Sequence, residues 1–111
     1  MDCNEIRIAV PSNDGKNVFE KMLGLAKYFY IYKADKVKQV FFFVEKRINP
    51  YQNTQQHLKT LDVYEIIKDC QIILSAHIGK KGIERLQTKG VELAFNKGNI
   101  QTALQKVMKD A

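Results

Sequence analysis

The sequence predicts an α/β protein in which a mixed β-sheet carries packed helices. Short runs of β-branched and aromatic residues alternate, in the second half of the chain, with segments whose apolar residues fall at helical spacing. The predicted order is one strand, a hairpin of two strands, and then helix, strand, helix, strand, helix. A hairpin followed by alternating helices and strands requires a five-stranded mixed sheet with right-handed crossovers. With 111 residues, positions 1–111 are expected to form one domain.

The first half of the chain predicts three strands. Ile6–Val10 is a β-branched run that we expect Pro11 to stop, and turn-forming residues follow it. Tyr28–Lys33 and Val37–Val44 are rich in strand formers, and Ala34–Lys36 is expected to be the turn that pairs them as a hairpin.

The second half begins with a predicted loop. Glu45–Thr60 is polar and shows no periodic apolar stripe. Helices are expected over Thr60–Asp69 and Gly79–Lys89, and the apolar run Gln71–Ala76 between them reads as a buried parallel strand.

The last elements carry recognisable end signals. Gly90 is expected to terminate the second helix, and Val91–Phe95 to form the fifth strand. Asn99 can cap a final helix. One apolar face of that helix is formed by Ile100, Ala103, Leu104, Val107 and Met108.

Composition limits the classes of function. No apolar run approaches the roughly 20 residues that cross a bilayer, and the polar, acidic Met1–Glu5 is unlike a secretory signal, so a cytoplasmic location without membrane association is expected. The formal net charge of +6 favours anionic partners. Because the lysines are scattered rather than clustered, nucleic acid is not the favoured partner.

Histidine and cysteine supply the candidate metal donors. His57, His77 and Cys70 are the strongest of them, and Met22 could add a thioether. An extended strand separates Cys70 from His77 by about 23 Å, so the two cannot share one ion. His77 could pair with His57 if the predicted loop folds over the sheet. Cys70 could equally be a buried, inert thiol.

The predicted carboxyl ends of the parallel strands are where ligands collect in open α/β sheets. Gly79–Gly82 opens a helix there, so its backbone N–H groups and two lysines could hold an anion, although the phosphate-loop spacing is absent. The candidate cofactor contacts at this edge are Ser12, Asn13, Asp14, Gly15, Gly79 and Lys80.

Catalytic signatures are not found. The sequence has no Gly-x-Ser-x-Gly, His-Glu-x-x-His or Cys-x-x-Cys motif, and its carboxylates are dispersed. We therefore expect a protein that is not an enzyme.

Four short segments resemble a known family. In order they are Ile6–Ser12, the Gly-x-Ala-x-x-Phe pattern of Gly24–Phe29, Ile78–Gly79 and Gly90–Val91, and together they are similar to the dinitrogenase iron-molybdenum cofactor-binding family. The resemblance implies a ribonuclease-H-like, three-layer α/β/α fold without ribonuclease chemistry. It also implies non-catalytic binding of an anionic iron-sulfur or iron-molybdenum cluster, and a protein partner that donates or accepts that cluster.

One tripeptide departs from the family pattern. Members commonly have His-Phe-Gly where this chain has Met22-Leu23-Gly24, so the histidine implied as a cluster donor is missing. Either His57 and His77 supply the donors, or cluster binding is lost and the scaffold is kept.

Two other classes of function remain open. The basic edge could bind a phosphorylated ligand or nucleic acid in a regulatory module, and salt dependence would distinguish this from metal coordination. Alternatively, an exposed Phe41–Phe43 strand could meet a partner or a second copy, but we expect these strand residues to be fully buried.

Overall fold

The computed structural model describes residues 5–21, 23–35, 37–50 and 60–109. Cys3, Met22, His57 and the greater part of the predicted loop lie outside these residues. The described elements are the strands β1 (Glu5–Ser12), β2 (Tyr28–Asp35), β3 (Val40–Ile48), β4 (Ile72–Ser75) and β5 (Glu92–Phe95), the helices α1 (Thr60–Ile67), α2 (Lys80–Thr88) and α3 (Ile100–Lys109), and a 3₁₀ turn at Leu23–Leu25.

The strands form one five-stranded mixed sheet in the order β3-β2-β1-β4-β5. β2 pairs antiparallel with both β1 and β3, whereas β4 pairs parallel with β1 and with β5. The predicted α/β class, mixed sheet and hairpin are therefore confirmed. Parallel pairing of β1, β4 and β5 brings the carboxyl ends of these three strands to the same edge.

Alternate residues of the strands enter two separate hydrophobic clusters. Ile8 and Leu74 belong to a cluster that includes the apolar face of α3. Ala9 and Ile73 belong to the other, which includes residues of α1 and α2. Neighbouring residues of a strand point to opposite faces, so both faces of β1 and β4 are buried, as a near-continuous apolar run predicts.

Pro11 does not stop β1, contrary to the sequence prediction. The strand continues to Ser12, and Pro11 lies opposite Phe29 of β2. On the β4 side, only Ile8 and Ala9 of β1 are paired. Proline has no N–H to donate, and none is required at position 11 for pairing with β4. The Pro11 carbonyl accepts a hydrogen bond from the Phe19 N–H at 2.8 Å.

The hairpin turn also lies later than predicted. Ala34 and Asp35 belong to β2, and the Asp35 carboxylate accepts hydrogen bonds from the N–H groups of Val37 and Lys38 at 3.0 and 3.1 Å. Gln39 completes the turn with a φ of 57°. An aspartate that accepts hydrogen bonds from the N–H groups two and three residues later is common in turns. Because this turn extends to Gln39, β3 starts at Val40 instead of the predicted Val37.

The predicted loop was wrong at its start. Residues 45–48 continue β3 as an edge strand, where charged side chains can stay in water. Helix α1 ends at Ile67, two positions before the predicted end.

The helix-end signals were accurate. Gly90 follows α2 with a φ of 81°, in the left-handed region that a terminating glycine adopts. The Asn99 side chain accepts a hydrogen bond from the Thr102 N–H at 3.1 Å, which is the expected N-cap of α3. In the described part of the chain, no helix has the length and apolar character to cross a membrane.

Candidate functional site

The segments that follow β1, β4 and β5 meet at one edge of the sheet, here called the carboxyl rim (residues 12–21, 23–27, 75–81 and 95–99). The Val18 N–H donates to the Gly98 carbonyl at 2.8 Å, and the Ile100 N–H donates to the Lys16 carbonyl at 2.9 Å. The Leu23 N–H donates to the His77 carbonyl at 3.1 Å. The first of the three segments is therefore hydrogen-bonded to the other two.

The turn after β1 is held by its own polar side chains. The buried Ser12 hydroxyl donates to the Asn17 carbonyl at 2.6 Å and accepts from the Gly15 N–H at 2.9 Å. One Asp14 carboxylate oxygen accepts from the N–H groups of Asn17 and Lys16 at 3.0 and 2.9 Å. The backbone N–H groups of this turn are thus already bonded within it.

Hydrogen bonding fixes the charge of this turn. The Asn17 and Lys16 N–H groups lower the pKa of Asp14 to about 2. The Asn13 side chain instead accepts from the Lys27 N–H at 2.8 Å, which ties the turn to the start of β2. Asp14 therefore contributes a negative charge to the rim at neutral pH.

Gly15 brings the turn against the aromatic face of the sheet. Its φ is +76°, and a Cβ built at this position would lie 2.9 Å from the ring of Tyr30. A side chain would meet both a left-handed backbone and that ring, so glycine is needed here.

His77 and the start of α2 form the exposed part of the rim. The Ser75 hydroxyl donates to the His77 carbonyl at 3.2 Å, so the backbone of His77 is fixed while its side chain is exposed. Gly79 is the N-cap of α2 and provides no side-chain cap, and Lys80 and Lys81 follow it, both exposed. The start of α2, which follows His77 closely in the chain, therefore has no side-chain cap for its first backbone N–H groups and carries two exposed lysines.

Cys70 lies at the other end of β4. It is 3 % exposed, and burial raises the pKa of its thiol to about 12, so the thiol is neutral at physiological pH. It precedes β4, whereas His77 follows it, which agrees with the predicted separation. The geometry of Cys70 is that of a buried core residue.

An ion-pair cluster that the sequence did not predict surrounds this amino end of β4. The Arg47 guanidinium donates to both carboxylate oxygens of Asp69 at 2.7 and 2.8 Å and to the Ile66 carbonyl at 2.8 Å. Arg7 donates to Asp69 at 2.9 Å and Glu45 accepts from Arg47 at 2.7 Å. Arg47 lowers the pKa of Asp69 well below its usual range. Arg7, Arg47 and Asp69 are far apart in sequence, and no local pattern indicates that they meet.

The structure therefore brings some predicted site residues together and separates others. Those on the carboxyl rim are Ser12, Asn13, Asp14, Gly15, His77, Gly79 and Lys80. Cys70 is at the opposite end, and His57 is outside the described residues. Among the residues that the structure describes, no group of three His, Cys, Asp or Glu side chains could hold a metal ion.

Fold and rim together define an α/β protein with exposed His77, Lys80 and Lys81 at the carboxyl end of a parallel strand. The family model described as dinitrogenase iron-molybdenum cofactor matches residues 4–110. The chain belongs to this family, which confirms the resemblance carried by its short motifs. Among curated proteins, no sequence matches the chain.

Solved structures share the fold. The crystal structure of PH0822 superimposes with a TM-score of 0.75 and 21% identity, over 95% of this chain and 90% of that chain. The apo form of the orange protein from Desulfovibrio gigas superimposes with a TM-score of 0.71 and 18% identity, over 94% of this chain and 88% of that chain. A protein from Methanocaldococcus jannaschii, described as a candidate dinitrogenase, superimposes with a TM-score of 0.65 and 11% identity, over 96% of this chain and 90% of that chain. At these identities the likeness shows the fold.

Proposed function

We propose that this protein binds or carries an iron-sulfur or iron-molybdenum cluster, or its precursor, without catalysing a reaction on it. Membership of the dinitrogenase iron-molybdenum cofactor family supports the nature of the cargo. The observation that carries the proposal is the exposed His77 side chain at the carboxyl rim, where ligands bind in open α/β sheets.

The chemistry around His77 suits an anionic cargo held by few protein ligands. An imidazole nitrogen is a good donor for iron. The uncapped start of α2, with Lys80 and Lys81, offers positive potential on the same side of the rim. Asp14 opposes this charge from the turn after β1, so the cargo would sit toward α2 rather than over Asp14. His57 remains a candidate second donor.

The same proposal extends to architecture and partners. Two hydrophobic clusters on opposite strand faces, one with α3 and one with α1 and α2, support a three-layer α/β/α arrangement of the ribonuclease-H-like type. A carrier of this kind would act with a protein that supplies or receives the cluster. Cys70 would take no part, because its thiol is buried and neutral.

Anaerobic reconstitution tests the proposal. Protein purified without oxygen is incubated with iron and sulfide, freed of unbound metal, and examined by visible absorption and metal analysis. We expect cluster absorption in the wild type, its loss in His77→Ala, and its retention in Cys70→Ser. Absence of bound cluster in the wild type, or equal binding by His77→Ala, would contradict the proposal.

A salt series separates this function from the phosphate-binding or nucleic-acid-binding alternative. Coordination by imidazole should vary with pH and metal concentration and change little with salt. Binding through phosphate contacts falls steeply as salt rises. Steep salt dependence toward a phosphorylated probe, without cluster binding, would favour the alternative.

A further inference from the structure

The two edge strands of the sheet differ in length and in exposed apolar surface. β5 is an edge strand of four residues, and Phe95 is its large exposed apolar side chain. β3, at the other edge, has nine residues. Its exposed apolar side chains are Val40, Phe42, Phe43, Val44 and Ile48. The burial expected from the sequence is therefore wrong for Phe42 and Phe43, because β3 lies at the edge of the sheet.

The exposed side chains of β3 lie on both faces of the sheet. Phe43 is paired with Tyr32 and contacts it with ring centroids 5.7 Å apart, on the face covered elsewhere by α3. Phe42 pairs with Lys33 and points to the opposite face, where it is 56 % exposed. Large apolar side chains on both faces are unfavourable on an edge strand that stays in water. The unpaired N–H and C=O groups of such an edge are a template for another strand.

A bulge limits the part of β3 that can be extended. The register with β2 shifts between Ile31 and Tyr32, so that Val44 has no partner opposite it. In the described part of the chain, the bulge therefore leaves two regular runs along this free edge, one on each side of Val44. Glu45–Ile48 carries three charged residues, whereas Val40–Phe43 is wholly apolar. An added strand would pair along this short run, and flanking charges would then matter more for its affinity.

The charges that flank this run are basic. Lys38 precedes it and Lys46 follows it, both exposed. The Lys46 ammonium lies 4.4 Å from the centroid of the Tyr28 ring. Glu45, the one acidic residue of β3, is bonded to Arg47 at 2.7 Å. The apolar run is thus flanked by Lys38 on one side and, beyond the ion-paired Glu45, by Lys46 on the other.

We propose that the free edge of β3 receives an extended segment of a partner protein as an added strand, and that this segment carries alternating apolar side chains flanked by aspartate or glutamate. Main-chain pairing would supply affinity. Contacts with the apolar side chains of β3, together with the charges of Lys38 and Lys46, would supply selectivity. A second copy of the chain fits less well, because it would bring two basic edges together and each chain has a formal net charge of +6. This surface is separate from the carboxyl rim.

A labelled peptide of roughly nine residues, with valine and threonine alternating between terminal glutamate pairs, serves as the probe. Fluorescence anisotropy measures its affinity, and amide shifts in NMR spectra locate it. We expect shifts centred on β3 and loss of binding when proline replaces the central valine of the peptide. A peptide with terminal lysine pairs should bind about 10-fold more weakly.

Two phenylalanines on opposite edges give a matched pair of variants. Phe42→Ser should weaken peptide binding about 10-fold, whereas Phe95→Ser, which changes a side chain 48 % exposed on β5, should leave it unchanged. Circular dichroism confirms that both variants are folded. No binding by the wild type, equal losses in the two variants, or a concentration-dependent dimer that Phe42→Ser abolishes would each overturn the proposal.

Discussion

The two ends of β4 use similar residue types in opposite ways. At the amino end, Asp69 and Arg47 pair with each other, and Cys70 beside them is buried. At the carboxyl end, His77 and Lys80 have exposed side chains, while the backbone around them is hydrogen-bonded. At the amino end, the charged groups are paired and the thiol is buried. At the carboxyl end, the imidazole and ammonium side chains are exposed to solvent.

This difference shows why residue type alone is a poor guide to a site. Cysteine is the stronger soft donor in general, yet here the neutral, buried Cys70 has the surroundings of a core residue. His77, with a fixed backbone and an exposed side chain at the rim, is the residue that we propose as a ligand. The following experiments test the contrast between the two ends.

The largest expected effect is protection of Cys70 from alkylation. In a Cys3→Ser chain, iodoacetamide at pH 8 should modify Cys70 about 100-fold more slowly in native protein than in urea, because burial limits access and raises the thiol pKa to about 12. The rate is measured by mass spectrometry. Similar rates in the two conditions would mean that the amino end opens readily.

Removal of the guanidinium at the amino end should lower stability. Arg47→Met deletes hydrogen bonds to Asp69, Glu45 and the Ile66 carbonyl, and we expect the free energy of unfolding to fall by about 2 kcal/mol in urea denaturation. As a control, Lys68→Met breaks the exposed pair with Glu65 and should have no measurable effect. Equal effects would show that the cluster around Arg47 is not structural.

At the carboxyl rim, alanine substitution of two glycines with positive φ distinguishes the cost of backbone strain from the cost of contact with Tyr30. Gly98→Ala, with open space at its Cβ, should cost about 1 kcal/mol from the left-handed backbone alone. Gly15→Ala should cost about 1 kcal/mol more, because its Cβ would meet the Tyr30 ring. Urea denaturation gives both values, and equal costs would mean that Tyr30 moves aside freely.

Acid should expose the role of Asp14 in the turn. Its pKa is lowered from 3.8 to about 2, so its contribution to stability is complete above pH 4 and is lost as pH falls through 2. The melting temperature of Asp14→Asn should therefore be lower than that of the wild type at pH 5 and approach it at pH 2. A difference that persists unchanged at pH 2 would contradict the assignment.

The smallest effect on stability is expected at the proposed ligand residue. His77→Ala removes an exposed ring and leaves the backbone hydrogen bonds to Leu23 and Ser75 intact, so unfolding free energy should change by less than about 0.5 kcal/mol. Thermal and urea denaturation measure this. A large loss would assign the ring a structural role instead.

Local patterns predicted most of the elements. The helical end signals at Gly90 and Asn99 were accurate because each depends on one residue and its immediate neighbours. Pro11 was misplaced because its outcome depends on partners across the sheet. The same reason explains why Arg47, read as part of a polar loop, belongs to β3 and bonds to Asp69. The turn near Asp35 was misplaced because the hydrogen bonds that Asp35 accepts from Val37 and Lys38 were not anticipated.

The sequence by itself determined the α/β class, the hairpin, the buried strand between Cys70 and His77, and the family. These follow from periodicity, turn chemistry and short motifs, which act over a few neighbouring residues. Only the tertiary structure decided that His77 stays exposed, that Arg47 pairs with Asp69, and that β3 is an exposed apolar edge. Burial and hydrogen bonding depend on residues distant in sequence, and packing of the folded chain alone brings those residues together.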